Sequence, residues 1–257
     1  PYQTDAARHR FPGSNWALIG VTLIIHLAIE VGRGYPPPDF ILGHGGAEAI
    51  VGYMFLHVGW LHLVGNLLFL FVFGNAVCSR IGNIAYLVCY LALGTGAGLV
   101  HLLFDGTPAV GASGAINGVV GMYLCFFPRA RISVFWLLLY RFGVFRVQGF
   151  WMIGLWIVLD LLGAVFASGG VAYFAHLGGM GLGLLTGLFF LYTGLARFHP
   201  AERPMFAYRQ APEEPGAPAA RPGAAHATPV APVTQAEPAP AAAASVALSG
   251  HKQPPPP

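Results

Sequence analysis

The sequence predicts an all-α fold: a polytopic membrane protein, a six-transmembrane-helix bundle with a short, buried fourth helix. Three observations carry that expectation. Of 257 residues, 56% are hydrophobic and only 9% are charged, against roughly 25% charged in soluble domains. Mean hydropathy is +0.63, so a soluble surface cannot be assembled from this chain and a bilayer must solvate much of it. Six apolar stretches approach the roughly 20 residues that a span needs, at 15–32, 60–78, 84–104, 112–127, 147–167 and 171–194.

Taken in order, residues 1–14 read as a cytoplasmic N-terminal segment without a cleavable signal peptide. The run from Trp16 to Val31 then serves as an uncleaved first span. Residues 33–59 form a long, partly apolar first loop, and association with the membrane surface is one reading of it. The fourth span is short: residues 113–127 cover about 22 Å as a helix, against a hydrocarbon core of about 30 Å. Either that helix starts below the outer surface or the preceding Gly- and Pro-containing loop dips inward. Residues 129–146 set arginines around the apolar patch Phe135–Tyr140 and read as an interfacial hairpin. The bundle domain covers 15–197, and residues 198–257 form a Pro/Ala-rich tail expected to be disordered and cytoplasmic.

Arginine placement orients the bundle. With the N-terminus in the cytoplasm, the inner segments hold Arg8, Arg10, Arg80, Arg129, Arg131, Arg141, Arg146, Arg197, Arg203 and Arg209, and the outer ones only Arg33. The formal charge of +3 and the isoelectric point near 8.9 are therefore topology signals, and no nucleic-acid partner is implied. Cys78, Cys89 and Cys125 show no CxxC or metal spacing and read as reduced packing residues. No repeat or pair of inverted halves of the transporter kind is evident.

Polar groups inside spans are costly and mark candidate sites. In FLHVGWLHLVGNLLFL, His62 and Asn66 share one face at the start of the second span, with His57 just before it. Interhelical hydrogen bonding is the competing reading for these, more so for His57. In GASGAINGVVG, Ser113 opens the short helix between Gly111 and Gly114; a helix-capping serine is the bland alternative. In AHLGGMGLGLLTG, His176 heads a strip formed by Gly179, Gly183 and Gly187. Gly114, Gly118 and Gly121 make a matching strip below Ser113, so the fourth and sixth spans are expected to touch. Spans two, four and six run in the same direction, which brings His62, Asn66, Ser113 and His176 to one depth in the outer half of the membrane. Asp160, on the fifth span, could orient His176 as a third catalytic group, but no spacing rule supports this, and a structural partner for the first loop or a neighbouring helix is the favoured reading.

A serine hydroxyl becomes a nucleophile when a neighbouring base takes its proton, and His176 is the embedded base placed to meet Ser113. An oxyanion needs aimed donors. The candidates are the Ser113 backbone N–H at a helix N-terminus, the Asn66 amide and the His62 imidazole.

HVGWLHLVGN, GASG and AHLGGMGLG, in this order and on these spans, resemble the rhomboid intramembrane serine proteases. The likeness runs from about residue 5 to 196 and takes in RFPGSNWALI and FPRARI. The resemblance implies a Ser113–His176 dyad with oxyanion support from His62, Asn66 and the Ser113 backbone. It gives His57 a structural role, and it implies cleavage of transmembrane protein substrates near the outer face without metal or organic cofactor. The supporting positions would be His57, Gly111, Gly114, Asn117, Gly179 and Gly183. Three departures stand out. Asn117 occupies the place where some members stack a tyrosine on the catalytic histidine, and others have alanine. Cys78 stands where many have an acidic residue, and residues 33–56 lack a tryptophan–arginine pair. A non-proteolytic scaffold and a small-solute channel are the competing classes; HExxH zinc chemistry is absent from the sequence. The expected location is a bacterial plasma membrane, and the oligomeric state is not legible in the sequence.

Overall fold

The computed structural model describes residues 3–6, 10–32, 34–138, 141–167, 170–196, 198 and 204–206, and every structural statement below concerns these. The chain divides into two units, residues 1–211 and 212–257. The second unit, and with it nearly all of the tail expected at 198–257, lies outside the described residues.

Helix α1 spans Gly13–Gly32. Its buried residues are Asn15, Leu18, Thr22 and His26, which recur at helical spacing on one face. Val21, Ile24, Leu27 and Val31 are exposed. A soluble helix hides its apolar side; this one hides a mostly polar side, as a lipid solvent dictates. Helix α2, Trp60–Ile81, starts after Gly59, which takes a φ of +88°. Helix α3, Asn83–Phe104, follows Gly82 at a φ of +89°. Helix α4 is Ser113–Phe126, α5 Gly149–Phe166 and α6 Tyr173–Thr193. Among the described residues, α1, α2, α3, α5 and α6 are long and apolar enough to cross a membrane, and α4 is a shorter apolar helix. Every boundary lies within three residues of its sequence expectation.

Within α2, the backbone widens into a π-helical turn at Leu70–Gly74. Such a turn loosens the regular ladder and needs an outside partner. Asn15 supplies it: its Nδ2 donates to the Leu70 carbonyl and to Asn75 Oδ1, both at 2.9 Å. Its Oδ1 accepts from the Tyr86 hydroxyl at 2.6 Å. Replacing Asn15 by Leu is expected to orphan several of these buried groups, at roughly 1–3 kcal/mol each. A variant that melts with the wild type in detergent contradicts this account.

Helix α4 is the centre of the bundle, with only Ser113 and Asn117 not fully buried. It lies directly against α6 because both carry glycine where they meet. A Cβ on Gly179 would collide with the Gly114 carbonyl, and one on Gly183 with the Gly118 carbonyl. The contact expected between these two glycine strips is therefore present.

The hairpin expected at 129–146 is a β-hairpin within an otherwise helical fold. Strands β2, Arg131–Leu138, and β3, Arg141–Gln148, pair antiparallel from Arg131↔Gln148 to Leu138↔Arg141. Strand β1, Gln3–Thr4, adds to the β2 edge, and Asp5 Oδ1 accepts the Arg131 N–H at 2.6 Å. The first loop differs from a surface-lying segment. Leu42, Ala49, Tyr53, Met54 and Leu56 are buried, and Leu42 pairs with Ala109 of the loop before α4. Its apolar residues thus cover protein as well as facing outward. The cysteines are free, with Cys78 and Cys125 buried.

Candidate active site

Ser113 is the first residue of α4, where backbone N–H groups have no acceptor within the helix. Glycine contacts set it against the fourth residue of α6. Ser113 Oγ and His176 Nε2 are 2.9 Å apart, a distance at which an imidazole accepts a hydroxyl proton. On the far side of the ring, His176 Nδ1 lies 3.2 Å from Asp160 Oδ1 of α5. Asp160 was expected to partner the first loop or a neighbouring helix, with His176 the less favoured choice, and it meets His176 on the neighbouring α6. Sequence reasoning named this pair but set it aside, because 16 residues and an interhelical turn separate the two. The signal was the helical hairpin: Asp160 is six residues before the end of α5 and His176 three residues into α6, so they meet at similar depth.

His62 approaches from α2. A Cβ built on Gly111 would stand 2.9 Å from His62 Nε2 and 3.8 Å from Ser113 Oγ. The bare Gly111, at a φ of +130°, thus lets the His62 ring lie directly against the loop that leads into Ser113. Its own N–H donates to the Tyr53 carbonyl at 2.9 Å, and the Tyr53 hydroxyl donates to the Gly94 carbonyl at 2.7 Å. Tyr53, a first-loop residue that no motif singled out, therefore anchors the loop against which His62 lies. Asn66 Nδ2 donates to the His62 carbonyl at 2.9 Å; an amide carries two hydrogens, so this bond does not exhaust its donors. Asn117 Nδ2 turns back to the Ser113 carbonyl at 2.9 Å. It steadies the first turn of α4.

A cavity of about 960 Å³ gathers His62, Asn66, Ser113, Asn117, Asp160 and His176 on its walls. Trp156 of α5, stacked on Phe69 of α2 at 4.6 Å, stands on the same wall. Among the described residues, no group of three or more His, Cys, Asp or Glu side chains is arranged to hold a metal ion. The arrangement places a hydroxyl, an imidazole and N–H donors around one space, which is what nucleophilic catalysis would require.

His57 is buried and its Nε2 accepts the Ala112 N–H at 3.4 Å, holding the serine loop from behind. Burial pushes its pKa down from 6.5 to about 4; the neighbouring His62 and His26 add to this, and the Phe55 backbone opposes it weakly. Because the folded pKa is the lower one, the unfolded chain binds the proton first as pH falls. Stability is then full above about pH 6.5 and drains away toward pH 4, by roughly 3 kcal/mol at about 1.4 kcal/mol per unit. The stability advantage of wild type over His57→Gln is therefore expected to shrink between pH 7.5 and 4.5. Parallel melting curves in detergent check this, and an advantage that stays constant with pH defeats it.

The sequence profile of the Rhomboid domain matches residues 45–193. Among curated proteins, the chain is 30% identical over 152 residues to Rhomboid protein 1, mitochondrial, of Saccharomyces cerevisiae, covering 54% of this chain and 40% of that one. It is 28% identical over 134 residues to Rhomboid protease GluP of Bacillus subtilis, covering 48% and 26%. Against Rhomboid-like protein 11, chloroplastic, of Arabidopsis thaliana it is 43% identical over 67 residues, covering 25% and 24%. The chain thus spans well under half the length of each of these three relatives.

Proposed function

The chain belongs to the rhomboid family, and from that premise we propose that it is an intramembrane serine endopeptidase acting on transmembrane protein substrates. The observation that carries the reading is the 2.9 Å approach of Ser113 Oγ to His176 Nε2 inside a multi-pass helical membrane protein. In this reading His176 takes the Ser113 proton as Oγ attacks a peptide carbonyl carbon. The carbonyl electrons move onto oxygen, which faces the cavity wall that His62, Asn66 and Ser113 share and accepts from His62, Asn66 and the Ser113 N–H. His176 then gives the proton to the departing amine, and water, activated by the same base, releases the acyl group from Ser113. His57, Gly114, Asn117, Gly179 and Gly183 hold these groups in register.

The orientation proposed has the arginine-rich segments inside, in a bacterial plasma membrane; several curated relatives carry organellar names, and the same bias applies to the equivalent side there. Pairing of residues 3–5 with β2 supports it. That pairing favours one side for the N-terminal segment and the α4–α5 connection, and with it an even number of crossings between them that would include α4.

The test is covalent. A fluorophosphonate probe is expected to label the detergent-solubilised chain on Ser113, with labelling lost in His176→Ala. Labelling elsewhere, or labelling indifferent to His176, sinks the reading.

A further inference from the structure

Helix α5 is the most apolar of the long helices, with a mean hydropathy of 2.0 over its best window, and is the least buried of them. Asp160 is the only charged residue in it. A lone acidic side chain within a span is costly, most of all near the bilayer centre, so its presence calls for a partner that offsets the cost. That partner is the one ring nitrogen of His176 that Ser113 does not use: Asp160 Oδ1 stands 3.2 Å from Nδ1, with the two side chains 20% and 16% exposed.

A neutral imidazole carries one N–H. A carboxylate accepts only, so the proton belongs on Nδ1 and leaves Nε2 bare toward Ser113 Oγ, 2.9 Å away. The reverse tautomer would put N–H against the hydroxyl and leave no base for its proton. A second contact locks the register. Gly163, three residues after Asp160, has no side chain where the Tyr173 ring, three residues before His176, lies against α5. The same helix pair thus touches on two rungs, Asp160–His176 and Gly163–Tyr173. Meanwhile Asn117 gives its amide to the Ser113 carbonyl, and the Nδ1 side of the ring is met from α5.

We propose that Asp160 is a positioning residue that fixes the tautomer and orientation of His176, completing a Ser113–His176–Asp160 arrangement. The inference rests on the serine-protease reading above. It extends the pair of reacting groups to a third residue on a different helix, which makes the seating of α5 a condition for activity.

The experiment measures kcat and KM on a fluorogenic transmembrane peptide in detergent, using the full chain and its Asp160→Asn, Asp160→Ala and Asp160→Glu variants. Asp160→Asn preserves side-chain shape, yet its amide favours the wrong tautomer; kcat is expected to fall by about a hundredfold or more with KM nearly unchanged. Asp160→Glu is expected to restore part of the loss. Nitrogen-15 spectra of His176, recorded in a Ser113→Ala background, read the tautomer without turnover: Nδ1 protonated, and redistributed toward Nε2 when Asp160→Asn is added. Variants within twofold of wild type in kcat, or a tautomer indifferent to Asp160, overturn the inference. An active wild type with an inert Ser113→Ala keeps the protease reading even then, whereas a wild type inert toward every transmembrane peptide takes both down.

Discussion

Ser113→Ala is expected to lower turnover of a transmembrane substrate by a factor on the order of 10⁴ or more, and His176→Ala by a similar factor. The double variant is expected to be no worse than either single. The reason is the 2.9 Å contact. Neither group has a separate part to play: the hydroxyl is inert without a base, and the base has nothing to activate once the hydroxyl is gone. Losses of members of one reacting unit therefore do not add. The activity left over should reflect the cavity wall, where His62 and the first turn of α4 still favour an oxyanion. Cleavage of a labelled substrate, followed by mass analysis of the cut site for all three variants, decides the matter. Losses that multiply would mean that Ser113 and His176 act in different steps, and the proposed proton transfer would fall.

The spans were legible because a bilayer imposes a length and excludes charge, and both constraints are written locally. The pairing of α4 with α6 was legible for a related reason: glycines at 114, 118 and 121 and at 179, 183 and 187 are steric statements about closeness. His62 and Ser113 could be brought together by helix direction alone, since both open spans that run the same way. What stayed hidden depends on contacts between distant segments. The π-helical turn at Leu70–Gly74 exists because Asn15, 55 residues before Leu70, reaches into α2, and no periodicity reports that. The β1 edge needs Gln3 to meet Ser133, and Tyr53 matters only because its carbonyl meets Gly111. Asp160 is the instructive case. Its charge on an apolar helix flagged it as needing a partner, but the choice of partner turned on the rotation of α5 about its own axis, which few buried residues on that helix encode.

Closeness between α4 and α6 is also where stability and chemistry become the same quantity, and Gly183→Ala is expected to damage both. The added methyl lands on the Gly118 backbone carbonyl, which cannot rotate away as a side chain can, so the helices must part or tilt. Overpacking of this kind costs about 1–3 kcal/mol, and a misplacement near 1 Å at the reacting groups costs about a hundredfold in rate. Gly179→Ala, which meets the Gly114 carbonyl one residue below Ser113, is expected to lose more activity for the same loss of stability. The matched control lies on the same helix. Gly181 is exposed and a Cβ there meets nothing within 4 Å, so Gly181→Ala is expected to be neutral or to stabilise α6 by up to about 1 kcal/mol through helix propensity. Melting temperature and turnover measured together on the three variants separate the effects. If Gly183→Ala behaves as Gly181→Ala does, the glycine strip does not set the distance between Ser113 and His176, and another contact must hold the pair together.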